Sequence, residues 1–291
     1  RRQRQMCIRD SPLTIGRANL DYRLDNHHSL NLNYLLSRIG NDRYDEADTD
    51  FEASNDILAK HVTGFSYNQS LLEEKMSNTF FVKNYINHLN IRQTDLSSIT
   101  GSKDVKGTIT KKYWGYGIGS RYTAIEPLSI KISYEHSVRL PLARELLGNG
   151  TTIYANVALK PESSDNVNLG IFGTWHPAPG HTLYYEANGF LRYVDDYIQA
   201  TVETKEGMMQ YENVPAVHFK GIEGEVRYDW QSKLQLATNV SFQEARDQNR
   251  YKTDGKPSAT YNNRVPNRPW LFGSAEAVSY THLRAHETEL H

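Results

Sequence analysis

The feature that most constrains this chain is a strict two-residue alternation of apolar and polar side chains, recurring from one end to the other. Leu128, Ile130, Ile132 and Tyr134 fall on one face, and Ser129, Lys131, Ser133 and Glu135 on the other. Ile222, Gly224, Val226, Tyr228 and Trp230 are opposed in the same way by Glu223, Glu225, Arg227 and Asp229. The pattern returns at Leu234, Leu236, Thr238, Val240 and Phe242, at Val167, Leu169, Ile171, Gly173 and Trp175, at Leu30, Leu32, Tyr34 and Leu36, and at Trp114, Tyr116 and Ile118. A period of two puts successive side chains on opposite faces, so these are strands with one oily and one wet face. No sustained helical period competes, and the expected fold class is all-β and antiparallel, with about ten or eleven strands.

The connections alternate between very short and very long. Asp25 to His28, Glu126-Pro127, Pro177 to Gly180 and Gln231 to Lys233 have the residue chemistry of tight turns. Between them stand polar stretches at 40–61, 93–108, 141–165, 203–216 and 245–269. Structureless loops of that length are uncommon in compact soluble domains. Short turns on one rim and long loops on the other describe a transmembrane β-barrel, with the long loops outside.

Strand length agrees. Residues 181–198 and 217–230 stay strand-like throughout, whereas about 9–11 tilted residues cross a bilayer. Trp175, Tyr184, Tyr185, Tyr193, Tyr197, Tyr228 and Trp230 cluster towards strand ends, as an aromatic girdle at headgroup level requires. Hydrophobic residues make up 38% of the chain, below the roughly 45–50% of soluble domains. No apolar run approaches the roughly 18 residues of a membrane helix. With 33 Lys and Arg against 34 Asp and Glu, the net charge of -1 offers no basic surplus for nucleic acid.

The single cysteine, Cys7, excludes a disulfide framework and a cysteine-rich metal site. It lies in an opening segment, RRQRQMCIRD at 1–10, that resembles translated sequencing-adapter sequence, as does VSYTHLRAHETELH at 278–291. Residues 1–11 and 278–291 are therefore expected to be tails that add no strands, and 12–277 to be the barrel section.

SYEHSVRLP at 133–141, ELLG at 145–148, NVALKPESSDN at 156–166 and NLG at 168–170 together resemble the barrel of TonB-dependent receptors. In that family a strand ending in Arg-x-Pro, here Arg139 to Pro141, enters a loop with a short helical turn. A segment matching Asn156 to Ser164 then leads into the next strand. RYVDDYI at 192–198 and Asn213-Val214 through GIEGE at 221–225 are further similarities. The match covers residues 113–230. It implies a barrel of about 22 strands in the outer membrane of a Gram-negative type cell, filled by an N-terminal plug domain and energised by the periplasmic TonB protein. It also implies import of a small-molecule or glycan ligand: a ferric siderophore or other metal chelate, cobalamin, or a glycan. No plug, no energy-coupling box and no aromatic-ended final strand is recognisable, so about half a barrel is expected. Helix is expected only in loop turns such as 142–147.

Other chemistry is thinly represented. Gly115-Tyr116-Gly117-Ile118-Gly119 invites a nucleotide-loop reading, but Ser120 stands where the third glycine belongs and a strand-like run follows. Glycines that leave room on the lumen face explain it better. There is no Gly-x-Ser-x-Gly elbow and no His-Glu-x-x-His, so no enzyme activity, catalytic residue, metal site or cofactor is assigned. His27 and His28 are expected to be solvated turn residues. The row Glu223, Glu225, Arg227 and Asp229 lies on the wet face, where contact with a plug or a passing ligand is the functional expectation. The partners expected are outer-membrane lipid, the plug, TonB and the ligand. The rival reading is a soluble or surface-attached β-protein that binds carbohydrate or protein and transports nothing, with its oily faces buried between two sheets.

Overall fold

The computed structural model describes residues 8–10, 12–44, 54–95, 103–149, 152–202, 207, 209–231, 233–251 and 255–279. Thirteen strands form one sheet: β1 (Ile8–Asp10), β2 (Leu13–Arg23), β3 (His28–Tyr44), β4 (Ser54–Leu71), β5 (Met76–Asp95), β6 (Lys103–Ile125), β7 (Leu128–Arg139), β8 (Ile153–Tyr154), β9 (Glu162–Trp175), β10 (His181–Val202), β11 (Met209–Trp230), β12 (Leu234–Asp247) and β13 (Leu271–Ser279). Setting aside the short β1 and β8, eleven strands run antiparallel, each to its sequence neighbour. β2 with β1 forms one edge and β13 the other, so the sheet is an open section of barrel wall.

The alternation sets the two faces. Ile132, Leu169, Ile222, Val226 and Val240 all lie on one side and are all exposed. A soluble sandwich would bury them, so the rival reading loses its main requirement. The other side is concave, because side chains there reach across an intervening strand. Lys131 on β7 meets Glu186 on β10 at 2.5 Å, passing over Gly170 of β9, where a side-chain carbon would lie 2.7 Å from Lys131 Cε. Lys83 on β5 meets Glu135 on β7 at 3.1 Å over β6. Gly115 and Gly117 of β6 serve the same purpose. A Cβ on Gly117 would stand 2.5 Å from the Phe81 ring and 2.6 Å from the Tyr134 carbonyl.

The one helix among the described residues, α1 (Ala143–Leu147), is a single loop turn, as expected. Glu145 caps it by accepting the Leu142 backbone N–H at 2.8 Å, and Gly148 at φ 64° ends it. Its Leu146 and Leu147, with Leu159, pack against Leu58, Leu89 and Ile91 of β4 and β5 and against Ile198 of β10. The loop between β7 and β9 thus folds inward and bridges the concave side at the long-loop end. A second cluster there joins Val194, Tyr197, Val217, Phe219 and Ala245 to Val265 of the last long loop.

Several expectations need correction. Strands continue into stretches expected to be loops: β3 runs to Tyr44, β5 runs to Asp95 and β11 begins at Met209, because ladder hydrogen bonds keep forming after the oily face ends. Both ends add strand. Ile8–Asp10 pairs with Asp42 to Tyr44, and β13 continues through Val278 and Ser279 opposite Gln235 and Leu234, since each neighbouring edge still offers free backbone groups. His28 is no solvated turn residue; it begins β3, with its ring bonded to Tyr67 at 2.6 Å. Of the expected girdle, Tyr184 lies on the concave face, because it and Tyr185 are consecutive in a strand. Tyr197 is buried against Val194 and Phe219, since Asp196 at φ 52° breaks the alternation just before it.

Candidate functional site

The wet row of β11 lies on the concave face, and its register places Glu223, Glu225, Arg227 and Asp229 opposite Asn188, Glu186, Tyr184 and Thr182 of β10. Arg227 Nε approaches Glu225 at 2.9 Å, and its guanidinium covers the Tyr184 ring at 4.2 Å. Ser241 donates to Glu223 at 3.3 Å, and Gln235 donates to Asp229 at 2.9 Å. Tyr184 donates in turn to Glu186, which takes Lys131. The four residues thus join one polar ladder spanning β7 to β12. Glu223 also borders a hollow of about 420 Å³ shared with Arg121, Lys131, Asn168 and Asn188. Charges here are matched within one or two strands, which suits a wetted wall.

A denser site lies at the long-loop end, and the sequence did not single it out. Glu145 and Glu162 are almost fully buried there. Arg139, the last residue of β7, holds both: one guanidinium nitrogen lies 3.1 Å from Glu145 and Nε lies 3.1 Å from Glu162. Glu162 also accepts the Ile198 backbone N–H at 2.8 Å, and Arg192 stands 3.8 Å away. Lys60 of β4 donates to the Pro141 carbonyl and ties the loop to the opposite wall. Glu145 and Pro141 tie the loop itself to β7 and β4, and Glu162, where the loop ends and β9 begins, is tied to β7 and β10, so the network fixes the inward fold of the β7–β9 loop. A buried carboxylate is tolerated only with such partners.

Above this network opens a cavity of about 450 Å³ bordered by Arg139, Arg144, Arg192 and Arg268 as well as the two glutamates. Four guanidinium groups against two carboxylates leave a surplus of two positive charges. Arg268 donates to the Tyr197 hydroxyl at 2.6 Å and 3.0 Å, and Arg192 lies over the Phe219 ring at 5.5 Å. Planar cations held on aromatic faces, with donors left over, are suited to anionic groups rather than neutral ones. Its size is that of a small-molecule site, which typically spans roughly 300–1,000 Å³.

A family model described as "TonB dependent receptor-like, beta-barrel" matches residues 79–286. The chain belongs to the TonB-dependent receptor β-barrel family. It is therefore an outer-membrane protein, in a family of transport receptors rather than enzymes. No curated protein sequence matches it. Solved structures do. "Copper transporter OprC" aligns over 94% of this chain and 42% of its own, at 14% identity and a TM-score of 0.74. The FrpB iron transporter from Neisseria meningitidis aligns over 94% and 41%, at 14% identity and 0.64. The hemophore receptor HasR of Serratia marcescens, solved with HasA and heme, aligns over 93% and 48%, at 16% and 0.58. The chain thus spans less than half the length of each of these receptors, and the likeness is one of fold.

Proposed function

We propose that the receptor containing this barrel section binds an anionic metal chelate at its outer mouth and admits it through the lumen, with a plug domain and TonB as partners. The observation that carries the reading is the cavity ringed by Arg139, Arg144, Arg192 and Arg268. Neutral glycans gain little from a surplus of guanidinium groups, whereas catecholate or carboxylate chelates gain charge-assisted hydrogen bonds. The relatives' names fit this class: copper, iron and heme occur among them, and one is a ferric-catecholate import receptor. On this reading the ladder through Glu223, Glu225, Arg227 and Asp229 faces the plug and the passing ligand.

The test is binding of a ferric catecholate, a neutral ferric hydroxamate and a neutral oligosaccharide to the full-length receptor by tryptophan quenching. The ferric catecholate should bind tightest. Arg192→Gln with Arg268→Gln should weaken it by about tenfold or more, since hydrogen bonds to charged groups are worth about 1.5–3 kcal/mol each. Tighter binding of the oligosaccharide, or unchanged catecholate affinity in the double variant, would refute the assignment.

A further inference from the structure

The outward face carries a charged cluster that import through the lumen does not use. Up β11 and β12 from their turn, the outward cross-strand pairs are Trp230/Leu234, Tyr228/Leu236, Val226/Thr238, Gly224/Val240 and Ile222/Phe242. The next two are Lys220/Glu244 and His218/Arg246. The surface changes from oil to charge in one step. Lys220 is ten residues above Trp230, a height of about 25 Å for strands rising ~3.4 Å per residue at a tilt of ~40°. That equals the height of the apolar band of an outer-membrane barrel, about 25 Å. The cluster therefore sits at the headgroups of the outer leaflet.

Its composition is unbalanced. Lys220 lies 3.2 Å from Glu244, Arg246 is bonded to the same carboxylate, and Arg264 stands 3.9 Å from it. One carboxylate faces three cations. A cleft of about 440 Å³ opens between Leu191, Tyr193, His218, Lys220, Glu244 and Arg246. Two rings frame it, His218 packing edge-on against Tyr193 at 4.6 Å.

We propose that this outward cleft of β10–β12 binds the phosphorylated sugar headgroup of an outer-leaflet glycolipid. Lys220, Arg246 and Arg264 supply charge-assisted donors for phosphate, which guanidinium groups grip in bidentate fashion. Tyr193 and His218 offer rings for a sugar to pack on. The acyl chains continue down the oily strip of Leu191, Ile222 and Phe242, which adjoins the cleft. That strip favours an anchored lipid over a dissolved phosphate or an acidic protein, neither of which uses it.

Full-length receptor in a neutral detergent, titrated with bisphosphorylated lipid A and followed by native mass spectrometry, provides the test. Lys220→Gln with Arg246→Gln should weaken lipid binding by roughly 30-fold, about one fivefold step per cation at an anionic surface. Glu244→Gln should strengthen it, because the same cations then face no carboxylate. Arg38→Gln with Lys112→Gln, an equal charge loss on outward positions of β3 and β6, strands away from the cleft, should change binding by less than about twofold, because charges beyond a Debye length of about 8–10 Å are screened. Unchanged heat-modifiable migration checks that each variant folds. An equal loss in the Arg38/Lys112 control, equal binding of dephosphorylated lipid A, or no gain from Glu244→Gln would overturn the site.

Discussion

Val226 and Arg227 are neighbours on β11 that face opposite solvents, so exchanging their characters tests the wall directly. Val226 lies four residues above Trp230 and six below Lys220 on the outward face. At ~3.4 Å per residue and a tilt of ~40° these are about 10 Å and 15 Å, which places Val226 close to the middle of the band. Val226→Arg puts a guanidinium there and should cost about 2–4 kcal/mol. Arg227→Val removes a half-exposed ion pair with Glu225, worth at most about 1 kcal/mol, and a cation–π contact with Tyr184 of about 0.5–1 kcal/mol. The expected order is therefore a large loss for Val226→Arg and a loss of about 1 kcal/mol or less for Arg227→Val after solvent screening. Urea unfolding of full-length receptor refolded into lipid vesicles measures both. Added salt should shrink the Arg227→Val effect and leave the other intact, because only the former is a screened surface interaction. Equal losses, or a larger loss for Arg227→Val, would mean that the faces are assigned backwards.

Two further perturbations probe the concave side. Gly117→Ala should destabilise by about 1–3 kcal/mol in the same assay, because its methyl would press on the Phe81 ring and a backbone carbonyl. Gly224→Ala, whose nearest neighbour would be 3.8 Å away, should be close to neutral, and the reverse order would refute the role given to the β6 glycines. Glu162→Gln should leave Arg139 with only Glu145 as an ionic partner and loosen the β7–β9 loop. Limited proteolysis within residues 140–161 should then run several-fold faster while the wall resists; unchanged cleavage would show that the network does not hold the loop.

Much of the wall was legible because one local rule, the two-residue period, fixes both strand and face. The turns at Glu126-Pro127 and Pro177 to Gly180 announced themselves through residues that favour turn geometry. The turn between β4 and β5 did not. Leu72, Glu73 and Glu74 take φ of 53°, 54° and 69° there without Gly, Asn or Pro, because the pairing of β4 with β5 imposes the reversal. Tyr197 escaped for a related reason: its face depends on the backbone of Asp196, and a side-chain pattern carries no φ angle. The arginine cavity was illegible in a different way. Arg139, Arg192 and Arg268 lie on β7, β10 and the last long loop, and only sheet curvature brings them to one rim.

That curvature also explains how a chain with 33 basic and 34 acidic residues can carry strong local fields. Along the concave wall, cations are spent on neighbours: Lys83 on Glu135, Lys131 on Glu186, Arg227 on Glu225. The two lysine pairs cross an intervening strand, which Gly115 and Gly117 of β6 and Gly170 of β9 permit. At the mouth this matching fails in one direction, because Glu145 and Glu162 are committed to Arg139 while, among the described residues, Arg144 and Arg268 have no carboxylate within ion-pair distance. On the outward rim it fails again, since Glu244 answers three cations. Both imbalances fall where the wall stops being a wall and meets something else, the incoming solute in one case and the lipid headgroups in the other. Net charge, an average over 291 residues, conceals both; the ladder register is what exposes them, by showing which charges already have partners.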